Sequence, residues 1–256
     1  TQAVLELLDY TIYHRNVTTC IIAHEQDAIE KIFRIPSRAY KLLHDDLKPR
    51  IDKGGGSKYQ MHFPEINSRI YCDLESRGDT INRLHISEAA FMKEERFTST
   101  MQCVPLDGSV TIESTANGMD NFFYDLWMEE NAYVKMFYPW FFHSEYTIAS
   151  EKKTIFEPEE EAFKKTVKAR YNLKISAPQI NFRRFKQREL RGKFIQEYPE
   201  DDITCFIMSG VAVCNQQCIK ELIRKVIKNP IEKTETLLIF IHSKIGNNYL
   251  IGQDPA

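Results

Sequence analysis

Arg83-Leu84-His85-Ile86-Ser87-Glu88-Ala89-Ala90-Phe91 decides how this chain is read. A mostly apolar run ends in a small hydroxyl residue, Ser87, and then in an acid, Glu88. Parallel sheets are covered on both faces, and α/β folds carry their chemistry at the C-terminal ends of the strands. An acid at such a tip is placed to act as a general base. By itself it is equally what a strand looks like when it runs into a solvated turn, so the flanking sequence has to decide.

On the N-terminal side, Val4, Leu5, Leu7, Leu8 and Ile12 form the stripe of an amphipathic helix over 1–15. Residues 17–23 are β-branched and apolar, a central strand. His24-Glu25-Gln26-Asp27 opens a helix through Phe33, its acids suiting the positive end of the helix dipole. A second helix is predicted over 37–47, and strands over 59–63 and 69–74 pair about the turn between them. Gly54-Gly55-Gly56 is a flexible turn, because no Gly-Lys-Ser/Thr follows to make a phosphate loop.

On the C-terminal side a helix over 94–103 leads to a strand over 109–113, which ends in Ser114-Thr115-Ala116-Asn117-Gly118. A helix over 121–130 and a strand over 133–138 follow. Strands and helices alternating at short spacing predict an α/β fold with a mostly parallel sheet flanked by helices. Composition shifts after Trp140. A charged helix over 157–170 precedes a basic one over 182–194, which carries Arg183, Arg184, Lys186, Arg188, Arg191 and Lys193. A helix over 216–228 stops at Pro230. Strands over 237–242 and 249–254 pair across Gly246-Asn247-Asn248.

The 256 residues fit one large domain or two ordinary ones. At 43% hydrophobic and 27% charged, with a net charge of −2, the chain is not one coated in basic residues. Nucleic-acid contact would have to use a local patch. No apolar run approaches the roughly 20 residues of a membrane span, and no basic-then-apolar leader opens the chain. With Thr1 first and a strand-like run close before Ala256, a fragment cut at both ends is expected. The cysteines lie in apolar surroundings and are expected as buried thiols. Cys214 and Cys218 have no second Cys or His pair at zinc-ligand spacing.

Three strand ends carrying polar residues in this order resemble the large subunit of tailed-bacteriophage DNA-packaging terminases. The resemblance covers essentially the whole chain. It rests on Arg77-Gly78-Asp79-Thr80-Ile81-Asn82-Arg83-Leu84-His85-Ile86-Ser87-Glu88 and Glu113-Ser114-Thr115-Ala116-Asn117-Gly118. Further pieces are Phe194-Ile195-Gln196-Glu197-Tyr198-Pro199, Phe206-Ile207-Met208-Ser209-Gly210 and Gly252-Gln253-Asp254-Pro255-Ala256. It implies an ATPase core of the P-loop class over 1–145, a helical lid or linker over 146–232, and the start of an RNase H-like nuclease over 233–256.

The resemblance also assigns roles. Glu88 would deprotonate the water that attacks ATP. Ser87 stands where the family more often has an Asp that holds the water shell of Mg2+. Ser114, Thr115 and Asn117 would sense the γ-phosphate, the Asn117 carboxamide serving as donor and acceptor together. A helix N-cap is the other reading of Asn117. Arg77 would act as the arginine a neighbouring subunit inserts, worth about 10³-fold in rate; the ordinary reading is a solvated Arg bonding Asp79.

Thr1 would be the last hydroxyl residue of a phosphate loop. Asp254 would be the first carboxylate of a nuclease using Mg2+ or Mn2+, a chemistry that needs several such groups. The basic helix would meet DNA phosphates or the next subunit, or else present a solvated face. Implied partners are double-stranded DNA, a portal protein and a small terminase subunit, with a homo-oligomeric ring on the procapsid. No membrane is implied, and the setting would be the cytoplasm of a bacterial host. A helicase-type ATPase and a non-catalytic prophage remnant are the alternatives, the latter suggested by Ser87.

Overall fold

The expected alternation of strands and helices is present. In the computed structural model, residues 2–52, 58–151, 153–207, 232–233 and 238–239 are described. The strands are β1 (Thr18–Ile22), β2 (Gln60–Phe63), β3 (Ser68–Asp73), β4 (Arg83–Ser87) and β5 (Ser109–Glu113). They form one sheet in the order β2-β3-β1-β4-β5. β3, β1, β4 and β5 run parallel, and β2 pairs antiparallel with β3 at one edge. In register, Ile22 lies beside Asp73 and Ile86, and Ser87 lies beside Glu113. The C-terminal ends of all four parallel strands therefore meet at one edge of the sheet.

Each face has its own core, because side chains alternate across a strand. On one face Ile21, Ile70, Cys72, Met61 and Phe63 pack under α1 (Gln2–Tyr13) and α2 (Gln26–Leu42). On the other, Cys20, Ile22, Leu84 and Ile86 pack with Ala89, Cys103 and Phe123, near α3 (Glu94–Met101) and α4 (Phe122–Met128). Cys20, Cys72, Cys103 and Cys205 are buried free thiols, and burial pushes Cys72 and Cys205 up to about 12.

Where the structure departs from the sequence expectation, packing explains most of it. The helix expected from 24 through Phe33 and most of the one expected over 37–47 form the single helix α2, which holds Pro36 and ends at Leu42; a separate 3-10 turn covers Asp45–Leu47. An interior proline removes one backbone hydrogen bond. Here Ala28, Ile29, Phe33 and Pro36 all lie buried along one side, so core contact carries the helix through the break. The strand expected over 133–138 is not formed; that stretch has no regular secondary structure, and Val134, Met136 and Tyr138 are exposed. The helix at the sensor motif starts at Phe122 and is capped by Asn121, whose Oδ1 accepts from Tyr124 N at 3.1 Å. Asn117 is therefore not the N-cap.

A third core is built from Trp140, Phe141, Val167, Ile175, Ile180, Phe182 and Phe194. It joins α5 (Pro158–Tyr171), α6 (Ala177–Leu190) and α7 (Phe194–Glu197). α6 starts earlier than the basic run predicts, because Ser176 and Gln179 form a capping box ahead of it. Its first two arginines turn inward. Arg183 is bidentate on Glu200 at 2.6 and 3.1 Å, and Arg184 is bidentate on Glu160 at 2.6 and 2.7 Å. Arg183 is buried in its pair, while Arg184 stays partly exposed in its own.

Residues 1–210 form one compact unit and residues 211–256 a second. In the second, β6 (Glu232–Lys233) pairs antiparallel with β7 (Leu238–Ile239). The helix expected over 216–228 and the strand over 249–254, with Asp254, lie outside the described residues. No helix among the described residues is long and apolar enough to cross a membrane.

Candidate active site

Glu88 follows β4 directly and sits in the left-handed region, at φ 56° and ψ 48°. Apart from three asparagines, which tolerate this conformation, only Glu88 and Arg191 adopt positive φ among the described non-glycine residues. The turn at Glu88 leads the chain from the strand into a short 3-10 turn over Ala89–Phe91, whose Ala89 and Ala90 are buried. A strand that continued straight would carry those alanines out of the core. The backbone therefore bends at Glu88, leaving its carboxylate at the sheet edge.

The polar segment after β5 closes around that carboxylate. Glu88 Oε2 lies 3.5 Å from Ser114 Oγ, Thr115 N and Thr115 Oγ1. Ser114 Oγ accepts from Ala90 N at 3.0 Å, and Asn117 Nδ2 donates to Ala90 O at 3.2 Å. Asn121 Nδ2 donates to the carbonyls of Asn117 and Gly118 at 2.9 and 3.2 Å. Gly118, at φ 73°, makes the turn that lets the segment double back. Two loops from adjacent parallel strands are thus tied together through side chains. Contacts of 3.5 Å to Glu88 are at the outer limit of hydrogen bonding, so its carboxylate remains able to take a closer partner.

Ser87 is buried and donates its hydroxyl to Glu113 Oε1 at 2.6 Å. His85, two residues earlier on the same face of β4, has Nε2 3.7 Å from the same oxygen. Burial holds the imidazole neutral by pushing its pKa down to about 4. Neither His85 nor Glu113 stood out in the sequence. The signal was present in the equal ends of two adjacent strands, Ser87 and Glu113 each preceding the loop residues of the site.

The structure thus brings together Ser87, Glu88, Ser114, Thr115 and Asn117. Arg77 makes its ion pair elsewhere, with Glu75 at 3.6 Å, and its side chain is 70% exposed. It does not bond Asp79, which is held by Arg69 at 2.6 Å and Tyr71 at 3.0 Å. Thr1 and Asp254 lie outside the described residues.

The donors at this edge are oxygens of hydroxyls and carboxylates, half open to water. That chemistry suits a hydrated Mg2+, which keeps several waters and takes one or two carboxylates with phosphate oxygens. No group of three or more His, Cys, Asp or Glu among the described residues is arranged to hold an ion directly. A cation here would be held through its water shell and a phosphate.

No protein-family description and no curated protein matches this sequence. Among solved structures, the chain is similar to the large terminase of a thermophilic bacteriophage. The identity is 12% and the TM-score 0.38, over 48% of this chain and 32% of that one. It is also similar to the ATPase domain of the large terminase of Thermus phage P74-26. There the identity is 19% and the TM-score 0.38, over 78% of this chain and 80% of that one. The chain spans about a third of the length of the first of these, at 32%. Both of these solved structures are phage large terminase chains, the second of them an ATPase domain.

Proposed function

We propose that this chain is the ATP-hydrolysing part of a motor that packages double-stranded DNA into a phage procapsid. The observation that carries the reading is the Glu88 carboxylate, held at the tip of a central parallel strand in a strained turn. Residues held in this way cluster at functional sites, because the surrounding structure has to maintain them. Around it stand hydroxyl and amide donors from the next strand, the groups a γ-phosphate and an attacking water would need.

In this reading Glu88 takes the proton of the water that attacks the γ-phosphate. Its weak contacts to Ser114 and Thr115 tighten or release with the charge on that phosphate. Asn117 reports the same event to α4, since its side chain holds Ala90 and its carbonyl is held by the α4 cap, Asn121. Mg2+, when bound with ATP, neutralises the charge that develops on the phosphates. Ser87 would be among the groups facing that water shell. Arg77, exposed on its loop, serves the nucleotide of the neighbouring subunit in a ring. Thr1 would close a phosphate loop preceding α1, whose backbone N–H groups supply most of the phosphate contact in such sites.

The packaging function implies a portal protein and a small terminase subunit as partners. It also implies a nuclease using Mg2+ or Mn2+ with Asp254 as its first carboxylate, all in the host cytoplasm. The test is phosphate release by the purified full-length protein with ATP, Mg2+ and linear double-stranded DNA. The proposal expects turnover that requires Mg2+ and rises with DNA. Absence of phosphate release from folded protein under all these conditions overturns it.

A further inference from the structure

Glu113 has no task in the ATP reading. Glu113 ends β5 directly opposite Ser87 and is half exposed at 49%. One of its oxygens is nevertheless engaged, because the buried Ser87 hydroxyl is bonded to it at 2.6 Å. A buried imidazole lies beside the same carboxylate. The side chain of His85 is 5% exposed, and its Nδ1 has no hydrogen-bond partner among the described residues. Its Nε2 is directed at Glu113 Oε1 at 3.7 Å, beyond hydrogen-bond length. Buried polar nitrogens are hydrogen-bonded in most proteins, so an orphaned one calls for an explanation.

We propose that Glu113 is the carboxylate that orders the water shell of the nucleotide's cation, in place of an acid at Ser87. The proposal rests on the ATP reading. A serine hydroxyl is neutral and holds a hydrated divalent cation poorly, whereas a carboxylate accepts from its waters with a full charge. The register of the sheet puts the charge one strand over: the Ser87 hydroxyl fixes the Glu113 rotamer with one bond, leaving the other carboxylate oxygen for water. Glu113 also directly precedes Ser114, which contacts Glu88. A change in the cation's shell is therefore passed along two residues of one chain to the general base. Glu113 is on this account a positioning residue, and Ser87 is its anchor.

The test is Mn2+ binding, read by electron paramagnetic resonance, to the full-length protein saturated with a non-hydrolysable ATP analogue. Glu113→Gln keeps the shape and an acceptor for Ser87 but removes the charge. It should weaken Mn2+ about 10-fold or more, the usual cost of losing an outer-shell partner. Analogue affinity measured without metal should stay close to wild type, since no cation is then present for Glu113 to order. Adding Ser87→Asp to Glu113→Gln should restore most of the lost affinity, since the charge returns one strand away. Glu113→Asp, which keeps the charge, should bind Mn2+ better than Glu113→Gln and serves where the amide variant folds poorly. Unchanged Mn2+ affinity in Glu113→Gln, or a loss that Ser87→Asp does not repair, overturns the assignment and leaves the ATP reading standing. If the folded wild type shows no analogue-dependent Mn2+ binding, the ATP reading itself fails and the proposal falls with it.

Discussion

Replacing Glu88 with glycine should leave a more stable protein than replacing it with alanine. An L-residue in the left-handed region costs roughly 1–2 kcal/mol. Alanine at φ 56° inherits that cost, and glycine does not. Both variants lose the carboxylate, whose three contacts lie at 3.5 Å and contribute little. Glycine's greater freedom in the unfolded chain returns part of the difference, about 0.5–1 kcal/mol. The net expectation is that Glu88→Gly exceeds Glu88→Ala by about 1 kcal/mol, against the usual order of the two residues. In urea unfolding, with a slope of about 2–3 kcal/mol/M, the midpoints should differ by about 0.4 M. Equal midpoints, or alanine above glycine, would show that the turn at Glu88 is not strained.

The buried pair in the helical part gives a second expectation. Glu200→Gln leaves the Arg183 charge buried and should destabilise by about 3 kcal/mol, whereas Arg183→Met with Glu200→Met should cost much less; urea midpoints of the single and double variants decide. Glu160 is a pH-dependent support, because the hydrogen bond from Arg184 holds its carboxyl below the ordinary value of 4.5. A depressed acid contributes stability in full above that value and loses it as pH falls through the lower folded value. Thermal midpoints of the wild type should therefore drop more steeply on the acid side than those of Glu160→Gln. Arg77 acts across subunits in this account, so Arg77→Ala mixed with Glu88→Gln should recover part of the ATP turnover that neither variant has. Turnover no higher than the two separate variants at every mixing ratio would count against Arg77 acting across subunits.

Most of the sheet was legible because its signals are local. The run from Arg83 to Glu88, the β-branched stretch before Ala23 and the stripe of α1 each state their element within a dozen residues. What escaped was decided by distant neighbours. Pro36 reads as a helix end, but the core under Ile29 and Phe33 holds α2 together through it. The stretch over 133–138 has the composition of a strand without forming one among the described residues. Arg183 and Arg184 look like a surface charge run until Glu200 and Glu160 come into reach across long separations. The site divides the same way. Glu88, Ser114, Thr115 and Asn117 could be named from their positions at strand ends. The contacts of Glu113 with Ser87 and His85 could not, because they depend on the register that sets β5 beside β4.

The central claim is that Glu88 activates water without holding the nucleotide. In the full-length protein, Glu88→Gln should lower ATP turnover by about 10²–10⁴-fold, the range expected for loss of a general base. Affinity for the non-hydrolysable analogue with Mg2+ should change by no more than about three-fold, since the interaction removed is made in the transition state. Turnover within a few-fold of wild type, or turnover and affinity falling together, would contradict the account.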